Sequence, residues 1–451
     1  MQEAVAVLDV GKTHTKLALV AVNGRTLATR ACANTAKRSA QLRFLETEGI
    51  EAWMIATLRE LSRLAEIRAI VPVGHGAAAA LIADGALAAP VLDYESEPPE
   101  DLVRAYRALR DPFSETMSPA LPASLNLGLQ LFWQEQLYAD LLGKDAHILL
   151  WPQYWAWRLS GAMASEVTSL GCHTDLWKPY QSDFSDLAKS RGWSAGFPVL
   201  RPASDVLDRI RPSIAAETGI SGTCEILCGV HDSNAALWSA RAVAGLGETF
   251  SLVSTGTWFV AFHVGGSGKP KLDPARDTLC NVGVDGRPVP SARFMGGREY
   301  EAIVGDARNV VASSADVSRA VARGLATRPS FIQGSGPFPD SRGEILGDVH
   351  TAEERAALAS LHLALMTDTS LELLDTHGPV LIEGRFVHDH SFASALAALG
   401  RDVGVFGGPD RDGVPLGAAR LFWPQISALS AEPVQPLSFD LSAPRKAWSH
   451  L

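Results

Sequence analysis

The chain has 451 residues, 47% of them hydrophobic and 20% charged, with a formal net charge of −10. That length and apolar content predict more than one buried core. The acidic balance, with no clustering of Lys or Arg, argues against nucleic acid or an anionic membrane surface as partner. Five cysteines, Cys32, Cys172, Cys224, Cys228 and Cys280, show no paired CxxC spacing, and Cys224 and Cys228 read as buried thiols rather than a redox or zinc pair. The opening Met1-Gln-Glu-Ala-Val lacks the character of a secretion signal, and no run reaches the ~18 to 20 apolar residues of a membrane span. These features predict a reduced, cytoplasmic protein.

In chain order, alternating hydrophobicity predicts a strand over Ala4–Asp9, a tight turn over Val10–His14 and a second strand over Thr15–Val22. Asn23-Gly24 supplies a type I′ turn into a third strand, Arg25–Cys32. A helix follows over Ile50–Leu64, then a buried strand, Ile67–Val73, ending at Gly74-His75-Gly76. Pro90–Pro122 reads as loop, with a short proline-bounded strand leading to Asp93 and Tyr94, and Ser124–Leu142 as helix. Trp151 to Trp157 carries aromatics at helical spacing, which favours core packing over a binding surface.

Ile226-Leu-Cys-Gly-Val-His-Asp232-Ser-Asn reads as a short strand, a glycine stop and a helix start over Ser233–Ala242. Open α/β folds build ligand sites where strand gives way to helix. A carboxylate at that hinge can take a proton from a hydroxyl or help hold a metal; it can equally cap the helix. The opening pattern then recurs: strand Glu248–Val253, turn Ser254-Thr-Gly-Thr257, strand Trp258–Val264. This repetition suggests a duplicated architecture with a boundary near Ala240–Leu246. Later come a strand to Gly384, a helix over His390–Leu399, a short strand over Val403–Phe406, a glycine-rich loop over Gly407–Gly413 and a last helix over Leu416–Phe422.

Gly11 and Gly256 allow backbone to approach phosphate closely, while Thr13, Thr15, Thr255 and Thr257 add hydroxyl donors. Lys16 offers a point charge, and Asp9 is placed to hold Mg²⁺ through water. Gly11-Lys-Thr13 is not the end of a P-loop, because Ala6 stands where that motif needs glycine and a strand, not a helix, follows.

In the order hairpin, strand–Asp–helix, hairpin, glycine turn, the chain resembles the FGGY family of carbohydrate kinases. The segments that carry the likeness are Leu8–Lys16, Val73–Ala77 with Leu81–Asp84, Ala164–Gly171 with Asp175–Trp177, Gly229–Ala236, Ser254–Thr257, Phe294–Gly297 and Ile382–Phe386. Lys16 stands where many members carry Arg, Glu383-Gly384-Arg385 replaces a run of glycines, and the namesake signature is not legible.

The resemblance implies an α/β fold of two ribonuclease-H-like (actin-like ATPase) domains, with mixed sheets flanked by helices and a cleft between them. Residues 1–240 would carry the sugar side, the first phosphate hairpin and the catalytic Asp; 241–451 would carry the second hairpin and the adenosine side. It implies ATP-dependent phosphorylation of a small sugar, a ketose or deoxy-ketose such as xylulose, ribulose, fuculose or rhamnulose, with Asp232 as general base. His75, Gly76, Asp93, Tyr94 and Asp232 would bind sugar, although a structural role fits His75 equally. Gly11, Lys12, Thr13, Lys16, Gly256, Thr257, Gly296, Gly297, Gly384, Arg385 and His388 would bind ATP, and Asp9 and Asp232 Mg²⁺. Such enzymes are often homodimers. Two other readings keep the same fold: an ATPase or phosphatase that uses water as acceptor, and a non-catalytic sugar or nucleotide sensor.

Overall fold

The structure, a computed structural model, describes residues 1–39, 42–138, 146–243, 245–399, 404–408, 413–426 and 430–448. The chain divides into two compact units. The first comprises Met1–Ala242 with Cys280–Pro288 and 412–427; the second comprises the remainder. The two later stretches thus cluster with the first unit although they follow the expected cut at 240/241.

The first unit is built on a mixed sheet. Strands β1 (Glu3–Val10), β2 (His14–Ala21) and β3 (Thr26–Ala33) form the expected antiparallel meander. On its other side β1 pairs in parallel with β4 (Glu66–Gly74). Strand β4 in turn pairs in parallel with β6 (Glu225–Leu227) and β7 (Val230–His231), and β5 (Val206–Arg209) closes the edge antiparallel to β6. β1 and β4 are buried almost throughout, as strands with parallel partners and helices over them must be.

One layer over this sheet is the helix Thr47–Leu61 with Trp151–Ser160, whose Trp151, Trp155 and Trp157 are all buried in the core, as their spacing predicts. A second is the helix Asp232–Ala240 packed on Gly413–Phe422. Gly417 makes that contact close: a Cβ there would overlap the Ala235 carbonyl oxygen.

The second unit repeats the plan. Strands β8 (Phe250–Thr255), β9 (Phe259–Val264) and β10 (Pro288–Phe294) form a meander. β8 pairs in parallel with β11 (Val380–Gly384), β11 in parallel with β12 (Val405–Gly407), and β13 (Glu432–Pro433) closes antiparallel. Five strands in the same order and sense, then an antiparallel edge, make the duplication explicit in both units.

Several local expectations are corrected. Ser254 and Thr255 end β8 rather than open the turn, because Thr255 stays in register with Gly384 of β11. No strand leads to Asp93; Leu92 makes a single bridge to Phe44. Pro90 lacks an N–H to extend the ladder, and the Asp93 carboxylate accepts from Glu95 N (2.9 Å), turning the chain. The helix expected from Ser124 starts at Leu127 and runs to Leu137; 139–145 lie outside the described residues, as do Val403 and 409–412 of the expected strand and glycine-rich loop.

Candidate active site

Parallel pairing brings three strand ends of the first unit side by side. In register, Val10 of β1 is opposite Gly74 of β4, which is opposite His231 of β7. The segments that leave these ends carry Gly11, His75 and Asp232, so residues more than 200 apart in sequence share one sheet edge. This is the carboxyl edge at which open α/β sheets bind ligands.

Asp232 is the first residue of its helix, with His231 as N-cap. Its Oδ1 accepts from Ser233 N (2.5 Å) and lies 3.4 Å from His231 Nε2; the side chain is 34% exposed. Among the described residues, Oδ2 accepts no bond. The carboxylate is therefore oriented by the helix start and still open to a ligand. Gly229, at φ +88°, permits the bend before it, since a Cβ there would press on Pro72 O.

His231 is buried and surrounded. Its backbone N–H donates to Thr168 Oγ1 (3.0 Å), and its ring Nε2 lies 3.3 Å from Cys172 Sγ. Burial opposes charge on this ring, yet the Cys172 sulfur and the Asp232 carboxylate hold its proton up to about 9. Burial likewise opposes a charged Cys172, while His173 and His231 bring its thiol down to about 5. Below them Glu166 accepts from Thr168 N (3.0 Å) and Thr168 Oγ1 (2.5 Å), and burial pushes its carboxyl up to about 7. Gly76 rests on this group, its missing Cβ leaving room for Cys172 and His231.

His75 contacts the ring of Tyr94 edge-on (centroids 5.4 Å) and Trp151 at a tilt (6.1 Å). Both its ring nitrogens are buried without a partner, and burial lowers its pKa to about 4, so the ring is neutral, with one donor and one acceptor on offer. The Trp151 indole N–H donates to Val10 O (3.0 Å), tying this corner to the first hairpin. Lys12 pairs with Asp93, lies 3.5 Å from Glu95 Oε2 and sits over Tyr94 with its ammonium 4.9 Å from the ring centroid.

The first hairpin turn is braced by Asn34, whose Nδ2 donates to Gly11 O (2.7 Å) and whose Oδ1 accepts from Thr15 Oγ1 (2.8 Å). Thr13 is exposed at the turn, and Asp9 faces Lys16 across the β1–β2 ladder. Asp9 and Asp232 form no three-ligand cage: among the described residues no group of three or more His, Cys, Asp or Glu could hold a metal. One or two carboxylates suit Mg²⁺, which keeps most of its water and is shared with phosphate.

In the second unit three glycine-bearing turns converge. Gly297 N donates to Thr257 O (3.2 Å), and a Cβ on Gly297 would press on Gly256 O. Thr255 Oγ1 donates to Glu383 O (2.6 Å) and accepts from Phe386 N (3.0 Å); Gly384, at φ +89°, lies on the Thr255 carbonyl. Gly296 packs against the Phe259 ring. Beyond them a cavity of about 260 Å³ is lined by Tyr300, Arg308, Val311, Arg385, Phe386 and His388. His388 also borders a second cavity, of about 520 Å³, with Gly407 and Gly408.

His75, Gly76, Asp93, Tyr94 and Asp232 thus lie in the first unit with Lys12, and the adenosine-side candidates in the second. The sequence reading missed Asn34, Trp151 and Cys172, each of which acts through a contact distant along the chain, and Glu166, whose bonds are local but whose burial only the fold shows.

Residues 247–431 match the family described as the C-terminal domain of FGGY carbohydrate kinases. A crystal structure of a carbohydrate kinase from Novosphingobium aromaticivorans is 40% identical, with a TM-score of 0.95 over 99% of this chain and 98% of that one. The chain is 25% identical over 273 residues to an L-fuculokinase of Salmonella typhi, a match spanning 57% of this chain and 56% of that protein. The ligand-bound xylulose kinase of Lactobacillus acidophilus shares the fold, with a TM-score of 0.79 at 15% identity over 99% and 96% of the two chains.

Proposed function

This chain belongs to the FGGY family of carbohydrate kinases, and from that premise we propose that it transfers the γ-phosphoryl group of ATP to a hydroxyl of a small ketose or deoxy-ketose. The observation that carries the acceptor side is His75: a neutral ring with two buried, unpartnered nitrogens, lying where the charge of Asp232 reaches it. Buried polar atoms are seldom left unpaired, and sugar hydroxyls, which both donate and accept, suit such a ring.

Asp232 accepts the proton of the attacking hydroxyl, its oriented Oδ1 leaving Oδ2 for the substrate. The glycine turns at Gly11, Gly256, Gly297 and Gly384 let backbone approach the phosphates, with Thr13, Thr257 and Lys16 beside them. Arg385 and His388 border the cavity that suits the nucleoside. Asp9 and Asp232 would hold Mg²⁺, which when bound neutralises charge on the phosphate oxygens.

The test is ADP release with D-xylulose, D-ribulose, L-fuculose and L-rhamnulose, with and without each sugar. Sugar-dependent release is expected, and Asp232→Asn should lower kcat by about 10² to 10⁴, the worth of a positioned base. Sugar-independent turnover, or near-normal turnover in Asp232→Asn, overturns the reading.

A further inference from the structure

Lys12 occupies the turn of the first hairpin, yet its ammonium is committed elsewhere. It bridges to Asp93, whose side chain is 0% exposed, and lies 3.5 Å from Glu95. The same ammonium sits 4.9 Å from the Tyr94 ring centroid, and Tyr94 packs edge-on against His75. Asp93 has no other good cation: Arg43 Nε is 3.4 Å from its Oδ2, both atoms remain without a hydrogen bond, and Arg43 instead pairs with Glu95 through Nη2 (2.8 Å). Turning Lys12 toward a phosphate would leave the fully buried Asp93 carboxylate with only the Glu95 N–H and the off-line Arg43 Nε to compensate it, an unfavourable state.

We propose that Lys12 serves the acceptor and not the nucleotide: held by Asp93 over Tyr94, it donates to a hydroxyl or carbonyl oxygen of the sugar beside His75. This assignment rests on the sugar-kinase reading above. An ammonium carries three donors, and Asp93 and Glu95 take at most two of them. Its side chain is 16% exposed, enough to present the third. The two cations of this corner, Lys12 and Arg43, are matched by Asp93 and Glu95, so no surplus positive charge is left to hold a carboxylate. The acceptor is therefore an uncharged sugar and not an aldonate. Phosphate charge at this hairpin falls to Lys16 and the backbone.

The experiment compares wild type with Lys12→Met and, because the first change strands Asp93, with the double variant Lys12→Met/Asp93→Asn. For each, KM is measured for ATP and for the best of D-xylulose, D-ribulose, L-fuculose and L-rhamnulose. Sugar binding without nucleotide is followed by calorimetry, with D-gluconate as the charged comparison. A rise of tenfold or more in sugar KM and sugar Kd, with ATP KM within twofold, is expected in both variants, and D-gluconate should bind worst. A raised ATP KM with unchanged sugar binding overturns the proposal in favour of a phosphate contact. Unchanged values for both substrates reduce Lys12 to a structural tie, and tight gluconate binding overturns the uncharged acceptor. If wild type binds a ketose but transfers nothing to it, the kinase reading fails while Lys12 is still judged on binding. If no ketose binds, both fall.

Discussion

Glu166 is fully buried, and one carboxyl oxygen has no partner while the other serves Thr168 and Ser169. Burial lifts it from 4.5 to about 7 against the pull of those donors. The folded chain then binds this proton more tightly than the unfolded one, so the contribution to stability is complete below pH 4.5 and is lost as the pH rises through 7. Glu166→Gln removes the ionisation. Its stability relative to wild type should grow by about 3 kcal/mol between pH 4.5 and 7.5, read from denaturation at several pH values. A gap independent of pH would show that the carboxyl does not titrate in this range. Such residues escape a reading of sequence because a Glu two positions before a Thr looks like any helix cap; only folding shows which oxygen is stranded. The position of Asp232 at the junction of strand and helix, by contrast, was legible, since the apolar run, the glycine stop and the small-residue helix start all fall within a dozen residues.

The hairpins, the β4 strand and the tryptophan helix were legible because each announces itself over a few residues, by alternation, by Asn-Gly or by helical spacing. Pairings between elements were not. Lys12 meets Asp93 across about 80 residues, and Cys172 meets His231 across nearly 60, with no periodicity to mark either. The contact of Gly413–Phe422 with the Asp232 helix is the same kind of fact. A methyl at Gly417 would overlap the Ala235 carbonyl and must separate the two helices. Gly417→Ala should therefore cost about 1–3 kcal/mol in chemical denaturation, as overpacking does, and lower kcat by displacing Asp232. Gly222, with open space around its Cα, provides the control: Gly222→Ala should change neither. Equal behaviour of the two variants would mean that the helix pair separates freely.

The chain as a whole is one topology used twice, and the two copies have diverged in what they carry at the carboxyl edge of the sheet. The first copy carries His75, Lys12 and Asp232; the second carries Gly297, Gly384 and the cavity beside Arg385 and His388. The division predicts separable kinetics. His75→Ala should raise sugar KM about tenfold, as loss of a polar contact in a sugar site does, with ATP KM unchanged. Arg385→Ala should do the reverse. A variant that moves both constants equally would break the partition. The order of the pieces along the chain has a further consequence, for synthesis. The helix that covers β1 and the Asp232 segment is encoded after residue 412, long after the rest of its unit. At roughly 5–20 residues per second, a ribosome that has finished residue 242 needs about 10–40 seconds more to deliver it. Until then the nascent first copy exposes the apolar flank of β1 that this helix covers.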